Sequence, residues 1–254
     1  MTGKQPKKMN ILLTNDDGIH AEGINALFDV LCQDHRVYMI APMEERSACS
    51  SAITVRSHIK LLIHQENKFA IDGFPADCVN IGLNGNLIPD IDLVISGINH
   101  GPNLGDDIYF SGTVAGARSA YIFGVSGIAV SLDCLRTSDY FREASLFIND
   151  YISEFPFAKS RSPVCLNVNY PDLPSDQIKG IRYTSMGKRE YRDHYRIIHE
   201  NKTEMSLQLD GTIESRDQDG SDITELRQGY ISITPISLDC TDYTLLREIT
   251  PTKP

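Results

Sequence analysis

The sequence predicts a doubly wound α/β fold with a mostly parallel sheet and a C-terminal β-rich extension. Short apolar runs alternate with amphipathic stretches through the first two thirds of the chain. This alternation is typical of parallel strands joined by helices that cover both faces of a sheet. From about Gly180 the chain becomes rich in Arg, Tyr and His. We therefore predict a polar tail at residues 1–8, an α/β domain at 9–180 that carries the chemistry, and an extension at 181–254 whose β arm mediates oligomerisation.

The predicted strands are continuous apolar runs, as expected where a strand is buried on both faces. They are Met9–Thr14, Val37–Ala41, Ile91–Ser96, Gly127–Leu132 and Val164–Val168, followed in the extension by antiparallel strands at Glu204–Leu209 and Tyr230–Pro235. The predicted helices have apolar residues at helical spacing, small residues that permit close packing, or a proline near the helix start. They are Glu22–Cys32, the stretch after Pro75 in Asp72–Leu83, Thr113–Phe123 and a helix near Asp139–Ser153.

Composition limits where the protein works and what it binds. The 254 residues have a net charge of −10 and no apolar run long enough to span a bilayer, so neither a membrane nor a nucleic acid polymer is an expected partner. The polar, basic start lacks the apolar segment of a signal peptide. The six cysteines form no CxxC pair and favour reduced, mostly buried thiols. We therefore expect a cytoplasmic protein.

Polar clusters follow three predicted strands and open one predicted helix. Asn15-Asp16-Asp17-Gly18 follows the first strand, Glu45-Arg46-Ser47 follows the second, and the glycine-rich loop Gly97–Gly105 follows Ile91–Ser96. Ser111-Gly112-Thr113 begins a helix. Because open α/β sheets bind ligands at the carboxyl ends of their strands, we expect these four clusters to converge on one rim.

The chemistry of this rim suits a divalent cation. Adjacent carboxylates repel each other when ionised, and Mg²⁺ or Mn²⁺ would remove that repulsion with oxygen ligands from Asp16, Asp17, Ser47 and Asn99. Each motif also has a structural interpretation: Asp-Asp-Gly as a turn, Ser47 as a helix cap and Asn99 as a turn residue. The coincidence of the four at one rim favours a site.

Ser111-Gly112-Thr113 offers hydroxyls and backbone N–H groups at a helix start, which suits phosphate. A plain helix cap is the alternative. The glycine-rich loop is neither a Walker loop nor a GxGxxG fingerprint. Among the histidines, His100 is a candidate substrate contact, whereas helix-entry packing is the favoured interpretation of His20.

The motifs resemble those of the SurE family, the survival protein E family of 5′-nucleotidases. The resemblance runs from about Met9 to Thr244 and rests on segments that occur in the family's order. They are TNDDG at Thr14–Gly18, AP followed by ERSACSS at Ala41–Ser51, SGINHGPNLGDD at Ser96–Asp107, YFSGTVAGARSA at Tyr109–Ala120 and GYISITP at Gly229–Pro235. This chain departs from the family pattern at Val114–Ala120 and at Asp222–Arg227, which leaves substrate preference and oligomer packing open.

The resemblance implies a Rossmann-like domain, a homodimer or homotetramer, and hydrolysis of nucleoside 5′- and 3′-monophosphates, with short polyphosphate as a further substrate. It implies one divalent metal ion per subunit, Mg²⁺ or Mn²⁺, held by Asp16, Asp17, Ser47 and Asn99. Both aspartates are the predicted catalytic residues. The predicted phosphate- and substrate-binding residues are Asn15, Asn103, Ser111, Gly112 and Thr113.

Three other classes of protein share some of these features. A receiver module needs a phosphoacceptor aspartate where this chain has Ser96-Gly97, and it is about half as long. A haloacid-dehalogenase-like phosphatase needs Asp-x-Asp, whereas here the aspartates are adjacent. A binding protein without turnover would bind nucleotide and release no phosphate. For the enzyme, the residues leave open which aspartate positions the water and whether a phospho-aspartate forms.

Overall fold

The computed structural model describes residues 8–134, 137–155 and 162–250. Its strands are β1 (Asn10–Thr14), β2 (Arg36–Pro42), β3 (Leu61–Gln65), β4 (Lys68–Ile71), β5 (Leu93–His100), β6 (Ser126–Leu132), β7 (Cys165–Tyr170), β8 (Ile181–Tyr183), β9 (Lys188–Glu200), β10 (Met205–Arg216) and β11 (Ile231–Pro235). Its α-helices are α1 (Glu22–Leu31), α2 (Pro75–Asn84), α3 (Gly112–Ile122), α4 (Phe141–Glu154), α5 (Asp222–Arg227) and α6 (Tyr243–Ile249). Short 3₁₀-helices cover Gly105–Tyr109 and Ser175–Gln177.

The main sheet has the strand order β3-β4-β2-β1-β5-β6-β7-β11-β8. The strands from β4 to β7 in this order run parallel. At the two edges, β3 pairs antiparallel with β4, and β11 pairs antiparallel with β7. The chain first builds outward from β1 through β2 and β4, then returns to place β5 on the other side of β1. A crevice for ligands opens at the carboxyl ends of strands where the order reverses in this way.

Helices cover both faces of the sheet. Helices α1 and α4 pack together on one face, where Leu27 and Phe141 lie in the larger apolar cluster. Helices α2 and α3 pack on the other face, where Val79 and Ala120 join a second cluster. The small residues of α3 permit a close approach, since a Cβ at Gly116 would lie only 2.6 Å from a side-chain oxygen of β5.

Strands β9 and β10 form a separate two-stranded antiparallel sheet, here called the arm (residues 188–216). Most of its residues are exposed on both faces. Its exposed large apolar side chains are Tyr195, Ile197, Ile198, Met205, Leu207, Leu209 and Ile213.

The predicted α/β class and C-terminal β-rich extension are confirmed, and the predicted strands and helices are present with ends shifted by a few residues. Strand β2 includes Pro42, where the sequence predicted a stop. Strands β3, β4 and β8 and helices α5 and α6 were not predicted. The predicted strand Tyr230–Pro235 is β11, which joins the main sheet. The boundary at residue 180 and the role of the tail stay predictions, since the structure describes only Lys8 of that tail.

Candidate functional site

The two aspartates lie directly after β1, at the reversal of strand order. Asp16 is buried with 5% of its surface exposed, and Asp17 is partly buried. Gly18 closes this turn with φ +96°, and a Cβ there would lie 3.3 Å from the backbone of the loop after β2. The glycine therefore lets the two loops meet at the position where both carboxylates leave the sheet.

The Ser47 loop is held against the aspartates through backbone contacts. The Arg46 N–H donates to the Asp16 carbonyl oxygen at 2.7 Å, which fixes the start of the loop. Ser47 itself is exposed, and its hydroxyl donates to Glu45 at 2.5 Å. Ser47 caps no helix in this structure, so the alternative interpretation of it as a cap is wrong.

Asn99 lies near the end of β5, the strand next to β1. Its amide nitrogen donates to the carbonyl oxygens of Gly101 at 2.7 Å and of His100 at 3.1 Å. Because both amide hydrogens are used within the loop, the amide oxygen is the group left for a ligand. His100, the next residue, connects this loop to Asp17, since its N–H donates to Asp17 Oδ2 at 3.4 Å.

The His100 imidazole also faces Asp17, with Nδ1 3.7 Å from Asp17 Oδ2. Its hydrogen bond with Asp17 raises the pKa of His100 against the opposing effect of burial. His20 is exposed, and its ring contacts His64 on β3 edge-on at 5.5 Å. His100 therefore belongs to the site, whereas His20 packs against the edge of the sheet.

Helix α3 points its N-terminus at Asp16. The Thr113 hydroxyl, which is fully buried, donates to Asp16 Oδ1. A Cβ at Gly112 would lie 2.8 Å from Asp16 Oδ2 and 2.6 Å from Cys49 Sγ. Only a glycine therefore fits between the carboxylate and the start of this helix.

Ser111 caps α3, as its alternative interpretation predicted. Its hydroxyl accepts a hydrogen bond from the Val114 N–H at 3.0 Å. Its own N–H donates to the Asp107 carbonyl oxygen at 3.0 Å. The Ser111 N–H is therefore engaged within the segment before the helix, and the predicted contact of Ser111 with phosphate stays a prediction.

Burial of Asp16 has an electrostatic consequence. Desolvation raises the pKa of Asp16 to about 6, opposed by the Thr113 hydroxyl and supported by the nearby Asp17 carboxylate. A carboxylate that is buried beside a second carboxylate is costly to ionise unless a cation compensates it.

The donor set fits a hard divalent ion. Asp16 and Asp17 supply carboxylate oxygens, Ser47 a hydroxyl and Asn99 an amide oxygen from three adjoining segments. Next to them, Asn15 donates its amide to the Gly18 carbonyl at 2.9 Å, and its buried Oδ1 lacks a hydrogen-bond partner. Within the described ranges no three His, Cys, Asp or Glu side chains gather into a metal cluster. An ion at this rim would thus depend on neutral oxygens and water as well, which suits Mg²⁺.

Comparison with known proteins identifies the family. The sequence profile of the family described as Survival protein SurE matches residues 11–193 of the 254. The chain belongs to the SurE family. The 5′-nucleotidase SurE of Leptospira interrogans is 41% identical over 95% of this chain and 96% of its own length. The 5′-nucleotidase SurE of Pseudoalteromonas atlantica is 38% identical over 95% of this chain and 97% of its own.

A solved SurE structure has the same fold. The crystal structure of the SurE protein from Aquifex aeolicus matches with a TM-score of 0.83 and 34% identity, covering 94% of this chain and 98% of that one. The α/β class predicted from the sequence is thus the fold of the SurE family.

Asn103, which the sequence assigned to phosphate, is hydrogen-bonded to the main sheet. Asn103 is buried over β6 and β7, where its amide donates to Ser131 at 2.8 Å and its N–H donates to Asn169 at 2.8 Å. Its carbonyl accepts hydrogen bonds from Asn167 and Asn169. In this structure Asn103 holds the glycine-rich loop onto the sheet, and its predicted contact with substrate stays a prediction.

Sequence reasoning did not identify Cys49 as a neighbour of the site. Its Sγ lies against Gly112, and burial together with the nearby Asp16 carboxylate raises the pKa of Cys49 to about 11. The thiol is therefore protonated at neutral pH, and it lines the site without reacting. The two residues flanking it, Ala48 and Ser50, have left-handed φ angles of 54° and 51°, a conformation that their residue types do not signal.

Proposed function

We propose that this SurE protein is a metal-dependent phosphomonoesterase. It hydrolyses nucleoside 5′- and 3′-monophosphates to nucleoside and phosphate, and short polyphosphate is a further substrate. The observation that carries the proposal is the junction of Asp16 with the start of α3, where a buried carboxylate and the N-terminus of a helix share one rim. The names of the curated relatives, 5′-nucleotidase SurE, support the same activity.

Four residues would hold one Mg²⁺ or Mn²⁺ per subunit: Asp16, Asp17, Ser47 and Asn99. Bound there, the ion would neutralise charge on the phosphate and lower the pKa of a water. The Thr113 hydroxyl fixes one oxygen of Asp16, so the carboxylate keeps a single orientation toward the rim. The tight contacts around Asn99 do the same for its amide oxygen.

The phosphate group would lie at the start of α3. Backbone N–H groups at a helix N-terminus favour an anion through hydrogen bonds and the helix dipole. Gly112 lets the start of the helix lie closer to Asp16 than a side chain would allow, so the helix N-terminus and the carboxylate meet at one rim. Amides placed in this way stabilise the equatorial oxygens during in-line attack. One of the two aspartates positions or deprotonates the attacking water.

The arm supports self-association into a homodimer or homotetramer. Its two strands expose seven large apolar side chains on a narrow ribbon, and exposed apolar surface of this extent marks an interaction site. Light scattering after size exclusion measures the assembly. A monomeric protein at micromolar concentration would contradict this part of the proposal.

A reducing compartment, the cytoplasm, is supported by the cysteines. All six are free thiols, and three of them are buried. Within the described residues, no helix has the length and apolar character needed to cross a membrane.

The decisive experiment measures phosphate release from nucleoside monophosphates, polyphosphate and generic phosphomonoesters. It is run with Mg²⁺, with Mn²⁺ and with chelator, on the wild type and on Asp17→Asn. Asp29→Asn, an exposed position on α1, is the matched control for the change in charge. We expect metal-dependent turnover that Asp17→Asn loses and Asp29→Asn keeps. Folded protein that binds nucleotide and releases no phosphate with either metal would instead establish a binding module.

A further inference from the structure

The segment Gly105–Ser111 leads directly into the start of α3, so its position decides where the phosphate-binding amides lie. It forms a 3₁₀-helix over Gly105–Tyr109. The Ser50 hydroxyl holds it from the loop after β2 by donating to the Tyr109 carbonyl oxygen at 2.7 Å. Other side chains that hold it come from beyond residue 180, outside the part of the chain to which the sequence assigned the chemistry.

Asp107 is the point of attachment to the arm. The Tyr191 hydroxyl donates to Asp107 Oδ1 at 2.7 Å, and Arg189 Nε lies 3.0 Å from Asp107 Oδ2. The Arg189 and Asp107 side chains are only 14% and 20% exposed, so solvent screens their attraction little. Burial, and then the hydrogen bond to Asp107, raise the pKa of Tyr191, which keeps the hydroxyl protonated as a donor.

The backbone of Asp107 continues this connection to the site. Its carbonyl oxygen accepts hydrogen bonds from the N–H groups of Phe110 and Ser111, both at 3.0 Å. Ser111 in turn caps α3 through its hydroxyl. A shift of Asp107 would therefore pass through two hydrogen bonds to the residue that begins the helix.

Asp222 holds the other end of the segment. One carboxylate oxygen accepts from the Gly105 N–H at 2.8 Å, and the other accepts from the Gly187 N–H at 2.7 Å. Asp222 is fully buried, and Gly187 directly precedes the arm. The first residue of the segment and the residue directly before the arm are thus joined through a single carboxylate.

We propose that Tyr191 and Arg189 are positioning residues for phosphate binding, acting through Asp107 on the start of α3. This inference rests on the proposed phosphatase function and assigns a part of it to the base of the arm. The loop that carries Ser47 is joined to the same segment, since the Ser50 hydroxyl donates to the Tyr109 carbonyl oxygen at 2.7 Å. It also has an attachment of its own in the hydrogen bond from the Arg46 N–H to the Asp16 carbonyl oxygen. The inference therefore expects the base of the arm to affect phosphate binding more strongly than metal binding.

The test uses the full chain and the variant Tyr191→Phe, which keeps the ring and removes the hydroxyl donor. Tyr195→Phe, exposed on the same strand, is the matched control. Arg189→Lys perturbs the same carboxylate and serves if Tyr191→Phe fails to fold. Isothermal titration measures binding of inorganic phosphate in the presence of Mn²⁺, and steady-state kinetics give KM, kcat and the apparent constant for Mn²⁺.

We expect Tyr191→Phe to raise the phosphate dissociation constant and the KM about tenfold, the size expected from losing a hydrogen bond to a charged group. The assembly size stays at the wild-type value, the constant for Mn²⁺ changes much less than the constant for phosphate, and Tyr195→Phe behaves as wild type. The melting temperature of Tyr191→Phe falls slightly, because the folded protein loses one hydrogen bond. A merely structural role would lower the melting temperature and leave phosphate affinity unchanged.

Several results would overturn the inference. Unchanged phosphate affinity in both Tyr191→Phe and Arg189→Lys would do so, as would an equal loss in Tyr195→Phe or an equal weakening of Mn²⁺. If the wild type binds phosphate without hydrolysing any ester, the proposed phosphatase function fails while the inference is still decided by titration. If the wild type binds no phosphate with Mn²⁺ present, the inference fails as well.

Discussion

Replacing Asp16 with Asn should stabilise the metal-free protein at neutral pH while abolishing its activity. Burial and the Asp17 carboxylate make the ionised form of Asp16 unfavourable in the folded state, whereas the unfolded chain solvates it freely. An asparagine has nearly the same shape and carries no charge. Its amide oxygen can still accept the hydrogen bond from the Thr113 hydroxyl.

The magnitude follows from the two pKa values of Asp16, 3.8 when unperturbed and about 6 in the folded protein. Because the folded value is the higher one, this stabilising contribution is complete below about pH 4 and is lost as the pH rises through 6. At about 1.4 kcal/mol for each pKa unit, ionisation of Asp16 costs the folded state about 3 kcal/mol at pH 7.5. The variant avoids this cost.

Urea unfolding of wild type and Asp16→Asn, at intervals from pH 4.5 to 7.5 with chelator, measures the difference in the free energy of unfolding. We expect the difference to grow in favour of the variant by about 2 kcal/mol across this range, because part of the full effect is already present at pH 4.5. Asp29→Asn should show no such trend. Saturating Mn²⁺ should stabilise the wild type at pH 7.5 and have little effect on Asp16→Asn. A difference that stays constant with pH would refute the reasoning.

Three other substitutions test the contacts around the site. Gly112→Ala should cost about 1–3 kcal/mol by overpacking and should lose most of the activity. Adding Cys49→Ala should recover part of the stability but not turnover, because the clash with Asp16 remains; recovery of turnover would contradict this. Thr113→Val should lose activity and Thr113→Ser should keep it, as measured by kcat/KM; equal activities would show that the hydroxyl is dispensable. Gly97→Ala should unfold at much lower urea concentration, because its Cβ would lie 2.2 Å from a carbonyl oxygen of β6 and φ is +142°, and an unchanged midpoint would refute the clash.

The central strands and the location of the site could be predicted because their signals are local. A continuous apolar run such as Met9–Thr14 indicates a buried parallel strand wherever it occurs. The carboxyl ends of such strands share one edge of a sheet, so Asp16 and Asn99 could be placed near each other without coordinates. The SurE motifs then added the expected ligands and their order along the chain.

The edge strands and short helices lack such signals. Strand β3 mixes apolar and polar residues and is largely exposed, so neither periodicity nor composition distinguishes it from a loop. Helix α5 spans only Asp222–Arg227, too short for a helical pattern. The network around Asn103 joins residues more than 60 positions apart, which only the folded chain brings together.

The contacts of Asp107 and Asp222 join the chain before residue 180 to the chain after it. The two parts are therefore less independent than the change in composition near residue 180 suggests. Strands β8 and β11 belong to the main sheet, and three side chains beyond residue 180 hold the segment that begins α3. A change in amino-acid composition indicates which surfaces are exposed to solvent, and the arm is exposed along most of its length. The residues at its base have a different role, since their partners belong to the segment that leads into α3.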